Sequence, residues 1–263
     1  SVFCANQGGP YKQIEDFLCA VRAVYASTMS EEALEYRSTR GLIDQTEQMA
    51  LLIQRVSGSA YGRYFFPQAA GVGFSFNSYV WHETIDPKAG MLRLVFGVGT
   101  RAVDRADDDY TRIVALNAPE RRPEANLDEV REYAQRRVDV LDLEGNQLMT
   151  TTFQDVIKVC PDVPLEMFAS RDRHLEERVG SRGGGGPHVF PWVLTFDRLL
   201  GETDFVTNMR AMLRILADAY QCPVDVEFTL NFFDPGTYKI NLVQCRPLQV
   251  LGLGESAELP ERL

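Results

Sequence analysis

The chain has 263 residues and a formal net charge of −10, with 27 Lys and Arg against 37 Asp and Glu. That balance excludes a surface built for non-specific attraction to nucleic acid or to an anionic membrane, and leaves room only for a local basic pocket. An apolar share of 45% and a charged share of 24% are those of an ordinary globular protein, long enough for one large core or two small ones.

Residues 1–10 read as a loop, punctuated by Gly8-Gly9-Pro10. Two glycines could bring backbone N–H groups to an anion, but a plain loop is the simpler reading. In residues 14–37 the apolar positions Ile14, Phe17, Leu18, Val21, Val24 and Tyr25 recur at helical spacing. A second helical piece starts at Ser30, an N-cap type, with Glu31 and Glu32 in its first turn. Gly41 is the C-cap candidate.

Residues 49–56 form a short apolar run ending in Gln54-Arg55-Val56. A fully buried strand is expected, and periodicity alone leaves a buried helix open. Residues 71–79 and 91–99 are strand-like, with Asp86-Pro87 in the loop between them. The second continues as Thr100-Arg101-Ala102-Val103 into an Asp cluster at 107–109, which reads as a solvated turn. Gly97-Val98-Gly99 by itself is a weak nucleotide signal.

Residues 116–124, with Pro119 and Pro123, make a connector, and 126–137 an exposed helix starting near Asn126 or Asp128. Residues 138–143 are a strand that turns at 144–147 into 148–153. Residues 153–178 are mixed, broken by Pro161 and Pro164. The Gly run at 183–186 reads as a linker, because it lacks the Lys-Ser/Thr that completes a P-loop. Residues 205–220 are a helix with Phe205, Met209, Met212, Leu213 and Leu216 on its buried face.

The last strong pattern is a hairpin. Residues 224–230 and 238–246 both alternate apolar with polar, and Asp234-Pro235-Gly236 is turn chemistry. Folding about the Pro235–Gly236 bond sets Glu227 opposite Gln244 and Asp225 opposite Arg246, all on one face. Val226, Phe228, Val243 and Cys245 take the other face. Carboxylates suit a hard cation such as Mg²⁺, which usually also keeps substrate phosphates as ligands, and the planar Arg fork matches phosphate. The alternative is a surface strand pair with one cross-strand ion pair. Residues 251–263 read as a polar tail.

The five cysteines, Cys4, Cys19, Cys160, Cys222 and Cys245, are odd in number and widely spaced, with no C-x-x-C. Neither a disulfide framework nor a zinc site fits that spacing, and a reducing cytoplasm is expected. No apolar stretch approaches the roughly 18 residues of a membrane span, and the N-terminus has no basic-then-apolar signal. His82, His174 and His188 have no metal spacing, and no Ser/His/Asp nucleophile set is visible.

Asp225-Val226-Glu227-Phe228 followed by Leu242-Val243-Gln244-Cys245-Arg246-Pro247-Leu248 resembles the end of the ATP-grasp nucleotide-binding domain of phosphoenolpyruvate synthases and pyruvate phosphate dikinases. Other blocks occur upstream in that family's order. Residues 49–56 resemble its adenine-side segment, Gly97, Gly99, Val103 and Tyr110 fit a later one, and Val193-Leu194-Thr195-Phe196 resembles a synthase-like block. Phe3 matches a phosphate-loop position, but Ala5 stands where that loop has Gly. Thr100 likewise replaces a Glu of the family.

The resemblance implies an α+β, ATP-grasp-like fold, with a mainly antiparallel sheet, helices on one side, and an incomplete outline. It implies a partial nucleotide domain over 1–249, a flexible Gly-rich linker near 180–187, and a tail at 250–263. Its cofactors would be ATP and Mg²⁺. Glu227 and Gln244 would hold the metal, Arg246 would contact ATP phosphates, and Gln54 would lie beside the base. The parent enzyme would be an ATP-dependent phosphotransferase that passes phosphate through a His on another domain to pyruvate. The partners are then ATP and the phosphohistidine and pyruvate-binding domains, with no nucleic acid and no membrane. No Arg-Ser-Ser segment of the family's earlier lobe is found, so the isolated piece is expected to turn over little. Alternatives are a non-catalytic nucleotide-binding or assembly module, or the nucleotide domain of an antibiotic or glucan phosphotransferase.

Overall fold

The computed structural model describes residues 2–46, 48–103, 109–172, 190–234 and 236–248. The Asp cluster at 107–108, the Gly-rich linker near 180–187, Pro235, His174, His188 and the tail at 250–263 lie outside the described residues. Among the described residues the chain is α+β, with three antiparallel sheets.

Helix α1, Pro10–Ala26, begins with Pro at its first position, where the missing N–H costs nothing. Helix α2, Glu31–Thr39, starts at Ser30, whose hydroxyl accepts from the Ala33 N–H at 3.2 Å. It ends at Gly41, with φ +66°, where Leu42 N–H reaches the Arg37 carbonyl and Gly41 N–H the Ser38 carbonyl. That double bond pattern is the Schellman motif, which needs a residue at positive φ.

The central five-stranded sheet has the order β11-β10-β3-β4-β5. Its strands are β3 (Ala69–Phe74), β4 (Met91–Val95), β5 (Arg112–Ala115), β10 (Val224–Asp234) and β11 (Thr237–Pro247). A second sheet joins β1 (Ser59–Tyr61), β2 (Tyr64–Phe66), β6 (Arg137–Asp142) and β7 (Gln147–Thr152). Strands β8 (Ala169–Arg171) and β9 (Trp192–Leu194) pair by themselves. The remaining α-helices among the described residues are α3 (Thr100–Val103), α4 (Leu127–Glu132), α5 (Phe153–Val159), α6 (Asp197–Glu202) and α7 (Phe205–Tyr220). Asn126 caps α4 by accepting from Glu129 N–H at 3.0 Å.

One core joins the sheets. Phe96 sits at its centre, with ring centroids 5.5 Å from Phe66, 5.5 Å from Phe153 and 5.7 Å from Phe168. Helix α7 buries Phe205, Met209 and Leu213 against β10 and β3. The sheet is crowded beneath it: a Cβ on Gly73 of β3 would lie 3.1 Å from both Leu92 and Val226 of the neighbouring strands, and 3.5 Å from Leu213 of the helix. Helices on one side only were expected, and the structure corrects this. Single-turn α3 lies on the opposite face, where Ala102 packs with Ala70, Val72 and Val95. The short, small residues of β3 leave that face shallow enough for one helical turn.

Residues 49–56 are also corrected. They form neither a buried strand nor a helix but an irregular arm, with Leu52 77% and Ile53 68% exposed. Apolar content alone did not supply a ladder partner for this segment. No helix among the described residues is long and apolar enough to cross a membrane.

Candidate functional site

The β10–β11 hairpin has the register that its alternation implies: Glu227 pairs with Gln244, Val226 with Cys245 and Asp225 with Arg246. Two register shifts interrupt it, between Glu227 and Phe228 and between Phe232 and Asp234. The first leaves Val243 unpaired on β11, and the second leaves Phe233 unpaired on β10. An extra residue on each arm cancels, so the far end of the hairpin stays in register. Gly236, at φ +84°, supplies the turn's left-handed residue.

Val226 and Phe228 are each 1% exposed, and Cys245 packs against the same core, where burial pushes its thiol up. Val243 is half-buried and Leu242 is exposed on the edge strand. Asp225, Glu227, Gln244 and Arg246 share the opposite face, as paired and alternate residues must. Arg246 Nε donates to both Asp225 oxygens, at 2.8 and 2.9 Å. The same face continues across β3 and β4 through the pairs Glu227–Val72 and Val72–Arg93. There the Arg93 guanidinium lies over the Phe74 ring at 5.4 Å.

The arm at 49–57 crosses this polar face. Ser57 Oγ accepts from Asn231 Nδ2 at 2.9 Å and from Asn241 Nδ2 at 2.8 Å. Gln54 Nε2 donates to the carbonyl of Val243, the bulge residue, at 3.1 Å. Gln54 is therefore a strap on the edge strand as well as a wall residue. Beside it opens a cleft of about 1480 Å³, bounded by residues 2–7, by α1, by the arm and by both large sheets. Gln54, Val98, Gly99, Leu141, Thr229 and Asn241 are among its walls. That is ample for a nucleotide-sized molecule, since ligand pockets usually run about 300–1,000 Å³.

Glu227, Gln244 and Arg246 do not line this cleft. They stand past its end: Glu227 is two residues beyond Thr229 on one strand face, a rise of roughly 6.6 Å. So the hairpin brings 227, 244 and 246 together, and Gln54 sits at the neighbouring rim. Among the described residues no group of three or more His, Cys, Asp or Glu is gathered for a metal. A cation here would have the oxygens of Glu227 and Gln244, and would need the rest from water or phosphate, which is the way Mg²⁺ is commonly held.

Sequence reading passed over Ser57, Asn231 and Asn241. The signal was present, because Thr229 and Asn231 continue the polar alternation of Asp225 and Glu227. It also passed over Asp139, which binds the Thr100 hydroxyl at 2.6 Å.

The sequence model of the family described as "Pyruvate phosphate dikinase, AMP/ATP-binding domain" matches residues 7–263. No curated protein matches the chain.

Proposed function

Because the chain belongs to the pyruvate phosphate dikinase AMP/ATP-binding domain family, we propose that its hairpin face and the adjoining cleft bind ATP as its magnesium complex for phosphoryl transfer to a His on another domain. The family makes it an AMP/ATP-binding domain of a kinase-like phosphotransferase. The single observation that carries the finer reading is the register that sets Glu227 against Gln244 with Arg246 one pair further along. In this reading the base lies in the cleft near Gln54, and the phosphates run out of it toward Arg246. Glu227 and Gln244 fit a hard cation, because both offer oxygen donors on one rigid strand pair. When bound, the cation would neutralise charge on the phosphates. Residues 1–249 then act as one ATP-grasp-like nucleotide domain, followed by a tail. The phosphohistidine and pyruvate-binding domains are its partners, and a reducing cytoplasm suits its widely spaced cysteines.

The test is a titration with Mg-ATP followed by amide resonances. Millimolar Mg-ATP is expected to shift the amides of the Glu227–Arg246 hairpin, and Glu227→Ala to abolish those shifts. An unmoved hairpin at millimolar Mg-ATP overturns the assignment.

A second reading, a non-catalytic binding or assembly module, draws on Thr100. It stands where the resemblance expects Glu, and its hydroxyl is turned to Asp139. Codons for an upstream Lys/Arg lobe and a downstream His domain in the parent gene would discard this reading.

A further inference from the structure

The segment Gly97-Val98-Gly99-Thr100-Arg101 leaves β4 and enters α3, and it forms part of the cleft wall through Val98 and Gly99. It has the glycine content of a phosphate loop, yet its two polar side chains both bond Asp139 of the other sheet. Thr100 Oγ1 donates to Asp139 Oδ2 at 2.6 Å, and Arg101 Nε donates to Asp139 Oδ1 at 3.0 Å. Thr150 Oγ1, from β7, donates to the same Oδ1 at 2.6 Å. The backbone carbonyl of Asp139 accepts from Val98 N–H at 2.9 Å. Asp139 is 7% exposed, so these bonds work in a region with little competing water. Gly97 makes the approach possible. At φ +92° it lies so close to β6 that a Cβ would stand 2.5 Å from Val138 and 2.7 Å from the Asp139 carbonyl. A second anchor stands behind the first. Arg101 Nη1 lies 3.6 Å from Asp109, whose carboxylate accepts the N–H groups of Arg136 and Arg137 at 2.8 Å each.

These contacts join β4 of the central sheet to β6 of the smaller one, and the cleft takes walls from both: Val98 and Gly99 from one, Leu141 and Leu143 from the other. We propose that Asp139 is a positioning residue that fixes the Val98–Gly99 wall of the cleft against the second sheet, so that Thr100 and Arg101 serve as its anchors rather than as phosphate ligands. This rests on reading the cleft as the nucleotide site. The wall touches the nucleotide, and Asp139 acts on it only through the loop.

The experiment compares Asp139→Ala and Thr100→Val with Val156→Ala, a core change in α5 that weakens the fold without touching the loop. Amide hydrogen exchange needs no ligand. Asp139→Ala is expected to speed exchange at Val98 and Ala102 by about tenfold more than at Val114 in β5, with Thr100→Val moving the same way by less. Val156→Ala is expected to speed all of these amides alike. In Mg-ATP titration Asp139→Ala is expected to raise Kd by about fivefold or more, the equivalent of one lost hydrogen bond, while Val156→Ala stays near wild type. Uniform exchange in Asp139→Ala, or nucleotide binding no weaker than in Val156→Ala, overturns the role. If Asp139→Ala does not fold, Thr100→Val carries both measurements with the same criteria. A wild-type chain that takes no Mg-ATP overturns the nucleotide reading and this role with it. The exchange result tells that failure apart from the absence of a clamp.

Discussion

Asp225 and Arg246 face each other across the last hairpin, and a single nitrogen, Arg246 Nε, reaches both carboxylate oxygens at 2.8 and 2.9 Å. The two terminal guanidinium nitrogens have no hydrogen-bond partner among the described residues. A guanidinium held through Nε alone keeps the donors of both terminal nitrogens for a phosphate.

Arg246→Ala should therefore separate binding from stability. The Arg246 side chain is 53% exposed, so its loss is expected to cost less than about 1 kcal/mol of unfolding free energy, read from urea denaturation. Mg-ATP affinity should fall by roughly tenfold or more, because a charge-assisted bond to phosphate is lost. Arg246→Lys keeps the charge and loses the fork, and should recover only part of the affinity. A large stability loss with unchanged affinity would make the pair structural instead.

Two glycines at positive φ should respond differently to Ala. At Gly236, φ +84°, nothing lies within 4 Å of the added Cβ, so only backbone strain of about 1–2 kcal/mol is expected. At Gly97 the same strain is joined by a collision with Val138 and the Asp139 backbone, and Gly97→Ala should cost more than about 3 kcal/mol. Urea midpoints of the two variants, compared at equal slope, check the order.

Ser57 holds two amides at once. Ser57→Ala leaves Asn231, which is 2% exposed, and Asn241 without that acceptor. A loss of about 1–3 kcal/mol is expected, the usual cost of a buried donor left unmade. Limited proteolysis should then cut within residues 49–56 sooner than in wild type, since the arm is exposed and keeps only its Gln54 tie. An unchanged cleavage rate would show that Gln54 alone secures the arm.

Arg63 sets an acid limit on the second sheet. Its Nε donates to Asp142 Oδ1 at 3.0 Å and its Nη2 bonds Oδ2, which holds the Asp142 carboxyl below the usual carboxylate range. A folded pKa below the unfolded one contributes stability that is present above about pH 3.9 and is lost as pH falls through the folded value. Arg63→Ala should thus be less stable than wild type at pH 7, and the difference should shrink as pH drops below about 4. Denaturation curves of both proteins from pH 7 downward measure it. A difference that stays constant into strong acid would assign the loss to packing of the Arg63 stem.

Much of this could be read before any coordinates. Helix α7 over 205–220, the Ser30 cap, the Gly41 stop and the pairing of Glu227 with Gln244 all follow from patterns within a few residues, or from one hairpin. Period-two alternation reports which residues share a face, and turn chemistry fixes where the chain folds back. The hairpin prediction held because its two bulges compensate, which nothing in the alternation announces.

Other features depended on groups far apart in the chain. Residues 49–56 became an arm because Gln54 found Val243, 189 residues away, and Asn231 reached Ser57 over 174. Thr100, an unexplained departure when read in line, has its role set by Asp139, 39 residues on. A sequence states local backbone preference and burial period, because those are properties of neighbours. Which polar group meets which across two sheets is decided only when the sheets dock, since the desolvation of each group is settled by whatever the fold places beside it.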